Sequence, residues 1–397
     1  AIPHLMRIVQ GDPDLQPIVL NGLAAETLGK LGAEQAIDPL IRCLWLDDAL
    51  GRNAVNQCRL ALNRIGPKAV VPQLLNTMAR KNPIVEKRAK KNRYDKGGTV
   101  EFKMAEMLGD MPNPEAIDPL VKAMTQWEEL PPELANNERR AMAFIKARIQ
   151  KVISSASALA AIGDESAVKP MLKLAGAEDI ALEYKNATVQ QLAFLGSSKA
   201  IPGLMKIMAK KAEMHHYTSH GFQLQAAIAA GRLIDGDSKR AATKLSKLVN
   251  KRQKQFAKWV AESEKKLAKA KKAKKLPQQR EYTRDIKHYT EMLKAYQEVG
   301  ATISAAETCG DSANCWGKKL GEKSVPVRLM AAYRLAQAKG EQRASAKKNL
   351  LQFAGDEDLT VRNVILFGLR RTGDKSVVPT LQSYQKTDEK KAKSNKR

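Results

Sequence analysis

Four cysteines, three clustered histidines and a run of lysines are the residues of this 397-residue chain whose spacing suggests chemistry. Cys309 and Cys315 bracket Gly310-Asp311-Ser312-Ala313-Asn314. Laid over Ile162-Gly163-Asp164-Glu165-Ser166-Ala167-Val168, they take the two apolar positions that face each other across a turn between antiparallel helices. Cys43 and Cys58 are centred on a second such turn, Asp47-Asp48-Ala49-Leu50-Gly51. Helix axes about 8–10 Å apart, with a Cα radius of about 2.3 Å, bring opposed Cα atoms to roughly 4–6 Å, which is disulfide range. Two disulfides, Cys43–Cys58 and Cys309–Cys315, are therefore expected, and with them an exported, oxidising location such as the bacterial periplasm. Buried thiols serving as small apolar residues are the alternative.

His215, His216 and His220 suggest a metal, because two histidines four apart share a helical face. Ser219 and Gly221, however, place them in the turn before a helix over Phe222–Leu233, and no acidic or cysteine ligand lies beside them. The expectation is a structural or solvated set, with no metal and no cofactor. Nor does the chain offer a Gly-rich phosphate loop, a two-cysteine metal knuckle or a nucleophile with a base placed nearby. No catalytic residue is assigned, and the chain is expected not to be an enzyme.

The lysines are Lys265, Lys266, Lys269, Lys271, Lys272, Lys274 and Lys275, with no acid among residues 265–275. The elements that position them read as a long antiparallel hairpin spanning 245–300. On its outgoing arm Phe256, Val260, Ser263, Leu267 and Ala270 alternate spacings of four and three; on the return arm Tyr282, Ile286, Tyr289, Leu293, Tyr296 and Gly300 do the same. Folding about Leu276-Pro277-Gln278 pairs Phe256 with Gly300, Val260 with Tyr296, Ser263 with Leu293, Leu267 with Tyr289 and Ala270 with Ile286, large against small. The lysine run then sits at the tip of an arm about 50 Å long, counted at 1.5 Å per residue.

Charge follows the same division. Formal net charge is +26, yet residues 1–80 carry eight Lys+Arg against seven Asp+Glu. Residues 81–103 carry eight against three, 241–300 seventeen against six, and 386–397 six against two, so most of the excess lies on excursions. Asn82-Pro83 opens a basic insertion over 81–100, read as an exposed loop whose Lys90, Lys91, Arg93 and Tyr94 are candidates for contact with an anionic partner. Residues 386–397 form a Lys-rich tail without a core and are expected to be disordered. Trp127, in a Pro-rich turn, reads as a cover for a neighbouring helix end.

Between these excursions one local pattern recurs. Leu195-Gly196 followed by Ala200-Ile201-Pro202 reads as a helix elbow, in which glycine ends one helix in the left-handed conformation and proline opens the next. Copies stand at Gly32 with Pro39, Gly66 with Pro72, Gly109 with Pro119, Gly163 with Pro170 and Gly373 with Pro379; Gly236, Gly310 and Gly340 mark copies without the proline. Elbow prolines at 39, 72, 119, 170 and 202 are separated by 33, 47, 51 and 32 residues, a two-helix solenoid period with insertions. Together with the valine-arginine helix openings Pro326-Val327-Arg328 and Thr360-Val361-Arg362, the chain resembles HEAT repeats, particularly the short bacterial type related to phycobilisome-lyase repeats. The resemblance implies an all-α fold, an α-α superhelix of about nine to ten helix pairs with one long antiparallel hairpin inserted. Repeats would occupy 1–244 and 301–385. No bilin-specific residue is identifiable, so no lyase activity is implied.

The expected function is a protein-protein interaction scaffold or adaptor within a larger assembly, contacting an anionic envelope polymer, lipid headgroup or acidic protein through the lysine tip. A cytoplasmic HEAT-like nucleic-acid-binding protein is the alternative, since HEAT-like DNA glycosylases hold DNA on a basic concave face. Against it stand the modest charge of the repeats and the lack of an aromatic-interleaved basic motif. No run of eighteen apolar residues is present to span a membrane. Ala1-Ile2-Pro3-His4-Leu5 reads as the second helix of a repeat, so the native chain is expected to begin upstream, and the lack of a signal segment here says little about compartment.

Overall fold

The structure is a computed structural model that describes residues 1–11, 16–46, 52–91, 98–126, 129–178 and 180–384, with 88–91 as backbone only. All the regular secondary structure of the described residues is helical, and they form no sheet. They divide into two compact units, 1–195 and 196–397.

The first unit holds α1 (Ile2–Gln10), α2 (Ile18–Lys30), α3 (Ile37–Cys43), α4 (Val55–Ile65), α5 (Pro67–Met78), α6 (Pro83–Lys91), α7 (Thr99–Asp110), α8 (Ile117–Thr125), α9 (Pro132–Ala135), α10 (Glu138–Ile162), α11 (Val168–Gly176) and α12 (Leu182–Leu195). Alternate helices pack on one another, α2 on α4, α5 on α7 and α10 on both α8 and α12, and α10 also packs along α7, which is the stacking of a repeat array. The second unit holds α13 (Ile201–Ala209), α14 (Tyr217–Arg232), α15 (Lys239–Lys272), α16 (Leu276–Cys309), α17 (Ala313–Lys319), α18 (Val325–Ala336), α19 (Gln342–Gln352) and α20 (Leu359–Arg371). Here α14 packs on α16, α16 on α18 and α18 on α20, the same rule continued through the long hairpin α15–α16. Each unit is a HEAT-like all-α solenoid.

The elbows have a common construction. Gly32, Gly66, Gly163, Gly196, Gly310, Gly340 and Gly373 all take positive φ. In three copies the residue after the glycine caps a short 3-10 turn, and Asn113 caps one in the copy at Gly109: Asn113, Asp164, Ser197 and Asp374 each accept a hydrogen bond from the backbone N–H two residues on. Gly109 departs from the expectation. It lies inside α7, where a Cβ would come 3.6 Å from Ala158, an ordinary contact, so this glycine neither ends the helix nor is demanded by the packing, and the turn comes later. Gly236 likewise lacks positive φ.

The basic insertion also differs from the loop expected, because Asn82 is a helix cap and Pro83 a first-turn proline. Asn82 Oδ1 accepts from the N–H groups of Ile84 and Val85 at 3.1 and 3.2 Å, and α6 runs on to Lys91. The side chains of Lys90 and Lys91, together with Arg93, Tyr94, Trp127, the Asp47–Gly51 turn and the tail 386–397, lie outside the described residues.

The valine-arginine openings hold the last repeats together. Arg328 is 6% exposed and grips Asp356 through Nε at 2.9 Å and Nη2 at 3.1 Å, while Nη1 donates to the carbonyls of Glu322 and Lys323. This buried charge is fully hydrogen-bonded, the condition under which burial is tolerated.

Candidate functional site

Two regions of the second unit concentrate chemistry, one at the tip of the hairpin and one at its base. At the tip, α15 ends through Lys274, which takes φ +53°, and Lys275 N–H bonds back to the Ala270 carbonyl at 3.0 Å. That six-to-one bond with a left-handed residue before it is the Schellman ending of a helix. Pro277 therefore belongs to the first turn of α16 and not to the loop.

The earlier turn shifts the register by one heptad. Gln253 Nε2 donates to the Tyr296 carbonyl at 3.0 Å, and Gln279 Nε2 to the Ala270 carbonyl at 3.2 Å. A Cβ on Gly300 would meet Gln253 and Val249. Each expected partner is thus displaced by seven residues, Gln253 standing where Val260 was expected and Val249 where Phe256 was. A heptad slip returns the same heptad positions to the seam, so the pattern could not distinguish the two registers; one flank of the seam does differ, because Trp259, Asp285 and Val299 are buried while the expected Val260, Ile286 and Gly300 beside them are half-buried. The slip does change the pairing: aromatic now meets aromatic, Phe256 stacking on Tyr296 with centroids 5.7 Å apart and Trp259 lying 5.3 Å from Tyr289.

Lys265, Lys266, Lys269, Lys271, Lys272, Lys274 and Lys275 are all exposed, and from Glu264 to Arg284 only Ala270 is buried. Among the described residues none of the seven is ion-paired. Lys266 Nζ lies 6.0 Å from the centre of the Tyr282 ring. The contrast is with Arg80, which lines a cleft of about 730 Å³ beside α5, α7 and α8 but is spent on Glu86 and Glu101.

At the base, the turn 210–216 and the start of α14 meet both arms of the hairpin. Arg252 is buried and donates through Nη2 to the carbonyls of Met208 and Lys210, closing the C-terminal end of α13. Burial lowers its pKa. His220 is fully buried, flanked by Phe256 and Trp259 at 5.3 Å each. Its Nε2 lies 2.8 Å from the Glu213 carbonyl and its Nδ1 3.1 Å from His288 Nε2. A carbonyl only accepts, so the network assigns the proton of neutral His220 to Nε2, leaving Nδ1 to accept from His288 Nε2–H. Burial lowers the His220 pKa to about 4 and depresses His288 as well.

Asp285 is 1% exposed. One of its oxygens, Oδ1, accepts from Tyr217 O–H and lies 3.7 Å from His215 Nδ1; Oδ2 has no hydrogen-bond partner. Burial, then the Asp285 carboxylate, raises the Tyr217 pKa, and burial pushes Tyr289 up to about 12, so both phenols stay protonated at neutral pH. Tyr289 O–H sits 3.3 Å from the His215 N–H as its acceptor, and His215 itself takes φ +77°.

The three histidines are thus separated in role. His216 is the residue before α14, which starts at Tyr217 and not at Phe222, and His220 lies inside that helix. Sequence reasoning missed Asp285, Glu281, His288 and Tyr217. Asp285 stands 68 residues from Tyr217, and its one visible signal is an acid directly beside Ile286 of the seam.

Both disulfide pairs are bonded. Cys43, at the end of α3, joins Cys58 in α4 with Cα atoms 6.2 Å apart, and Cys309, ending α16, joins Cys315 in α17 at 5.3 Å. Among the described residues no helix is long and apolar enough to cross a membrane.

Fold, elbows and valine-arginine openings define a HEAT-like repeat protein. In agreement, residues 22–44, covering most of α2 and α3, match the family described as PBS lyase HEAT-like repeat. No curated protein matches the chain. Among solved structures, an engineered protein is similar at 16% identity over 96% of this chain and 91% of that one, with a TM-score of 0.29. Human deoxyhypusine hydroxylase in complex with glycerol is similar at 14% identity over 93% and 94%, with a TM-score of 0.25. Likeness at that level carries no functional argument.

Proposed function

We propose that this protein is a non-enzymatic interaction scaffold, part of a larger assembly in an oxidising, extracytoplasmic compartment, and that its lysine-tipped hairpin docks on an anionic surface. The observation that supports this reading is the tip itself. Seven exposed lysines with no ion-pair partner among the described residues end an arm of two 34-residue helices. Like charges packed this closely repel one another, a cost that an anionic partner relieves. A hairpin stiffened by stacked rings presents them without losing much freedom on binding. The two disulfides support the compartment, because such bonds persist outside the reducing cytosol.

The partner that fits is a repeating phosphate or carboxylate array, as in an envelope polymer or a lipid headgroup layer. The test uses the full chain and a variant with all seven lysines changed to glutamine. Binding is measured to anionic and neutral vesicles, to a polyanionic envelope polymer, to an acidic polypeptide and to a labelled DNA duplex, each at low and high salt. A lysine near an anionic surface is worth about 1 kcal/mol, so the variant should bind the anionic array more than tenfold more weakly, and salt should weaken the wild type steeply. Equal binding by both proteins would remove the tip from the function. Preference for the duplex, with a steep salt slope, would replace this reading by nucleic-acid binding.

A further inference from the structure

We propose that His215, Glu281 and Asp285 form a binding site for a divalent transition-metal ion, Zn²⁺ by the chemistry of its ligands, at the base of the hairpin. One donor atom of each lies within 4.8 Å of the other two, and this is the one such group among the described residues. Zinc is held by imidazole nitrogen and carboxylate oxygen at about 2.0–2.2 Å, which puts neighbouring ligands of a tetrahedron roughly 3.3–3.5 Å apart. His215 Nδ1 and Asp285 Oδ1, at 3.7 Å, are already close to that spacing. Glu281 stands one turn before Asp285 on the same face of α16 and is exposed, so it closes the set by rotamer alone.

The independent observation is Asp285 Oδ2. A carboxylate oxygen buried without a hydrogen-bond partner is costly, and native structures leave few of them. Tyr217 O–H donates to Oδ1, the oxygen that lies nearest His215 Nδ1, and so fixes the orientation of the carboxylate while Oδ2 keeps its lone pairs for the ion. His215 is held by its own backbone, with its N–H on Tyr289 and a left-handed φ that turns the ring toward α16. The guanidinium of Arg284, over the Tyr217 ring, opposes a cation here, and two carboxylates outweigh it. Three protein ligands leave a fourth position for water, and the exposure of His215 and Glu281 opens it to solvent. The ion would clamp the turn before α14 to the return arm, and it stands whether or not the lysine tip binds anions.

The test is calorimetric titration of chelator-treated full-length protein with Zn²⁺, repeated with Mg²⁺ and Ca²⁺. The expected result is one Zn²⁺ per chain in preference to either alkaline-earth ion. Glu281→Gln and His215→Asn, both at exposed positions, should each weaken it by about tenfold or more; asparagine tolerates the left-handed backbone. His216→Ala should leave it unchanged. Circular dichroism establishes that each variant is folded. Equal affinity in the Glu281 and His215 variants, an equal loss in His216→Ala, or a preference for Mg²⁺ or Ca²⁺ would overturn the assignment.

Discussion

His220 Nδ1 lies 3.1 Å from His288 Nε2, joining α14 to the return arm of the hairpin across 68 residues of chain. Both imidazoles are in use as neutral groups, and the Glu213 carbonyl takes the only proton that His220 has to donate. That pairing makes the base of the hairpin sensitive to acid.

Burial holds the His220 pKa at about 4 against an ordinary 6.5. The unfolded chain therefore binds the proton that the folded one refuses. Stability from this group is present above 6.5, falls as pH drops, and is fully lost near 4. The slope is about 1.4 kcal/mol per pH unit, for a total on the order of 3–4 kcal/mol across that window. Urea unfolding across that window, in chelator, should show a steeper acid loss for wild type than for His220→Gln. Parallel profiles would mean that the histidine is not held neutral.

Lys274 occupies a left-handed position where a side chain costs roughly 1–2 kcal/mol and glycine costs none. Lys274→Gly should raise stability by about 0.5–1 kcal/mol after the added freedom of the unfolded chain is counted. A lower urea midpoint in the variant would contradict the turn at Ala273–Lys275.

Asp356→Ala would remove the two-point carboxylate partner of the buried Arg328 guanidinium, leaving it two carbonyls and the more distant, exposed Glu357 at 3.4 Å. Breaking a buried pair in this way costs on the order of 3–5 kcal/mol. Hydrogen exchange should report the loss first in α18 and α20, the helices that the pair joins. Protection there equal to wild type would show the ion pair to be dispensable.

The disulfides close loops of 15 and 6 residues, for which the chain-entropy relation gives about 3 and 2 kcal/mol. Thermal unfolding with and without reductant should differ accordingly. Thiol titration in denaturant, without reductant, on protein taken directly from its source should find no free thiol. Four would place the chain in a reducing compartment and remove that part of the proposed function.

How much of this was legible beforehand depends on the range of the signal. Glycine after an apolar run and proline a few residues later mark an elbow, because both act on the backbone within one turn. Gly109 was misread for the same reason: a glycine that ends a helix and one that lies inside it look alike until α7 is seen to run on to Asp110. Asn82-Pro83 was misread as a break when it is a cap.

Local order, then, was enough to establish repeats of paired helices, the cysteine pairs across their turns, and a seam of Phe256, Ser263, Ala270, Tyr289 and Tyr296, since each follows from spacing along one or two helices. Only the folded chain decided which of two heptad registers the arms adopt, because a slip of seven residues repeats the same spacing pattern and the left-handed Lys274 chooses between them. Only it brought Asp285 and Glu281 to His215 and His288 to His220. No periodicity connects segments so far apart; what joins them is α14 packing on α16.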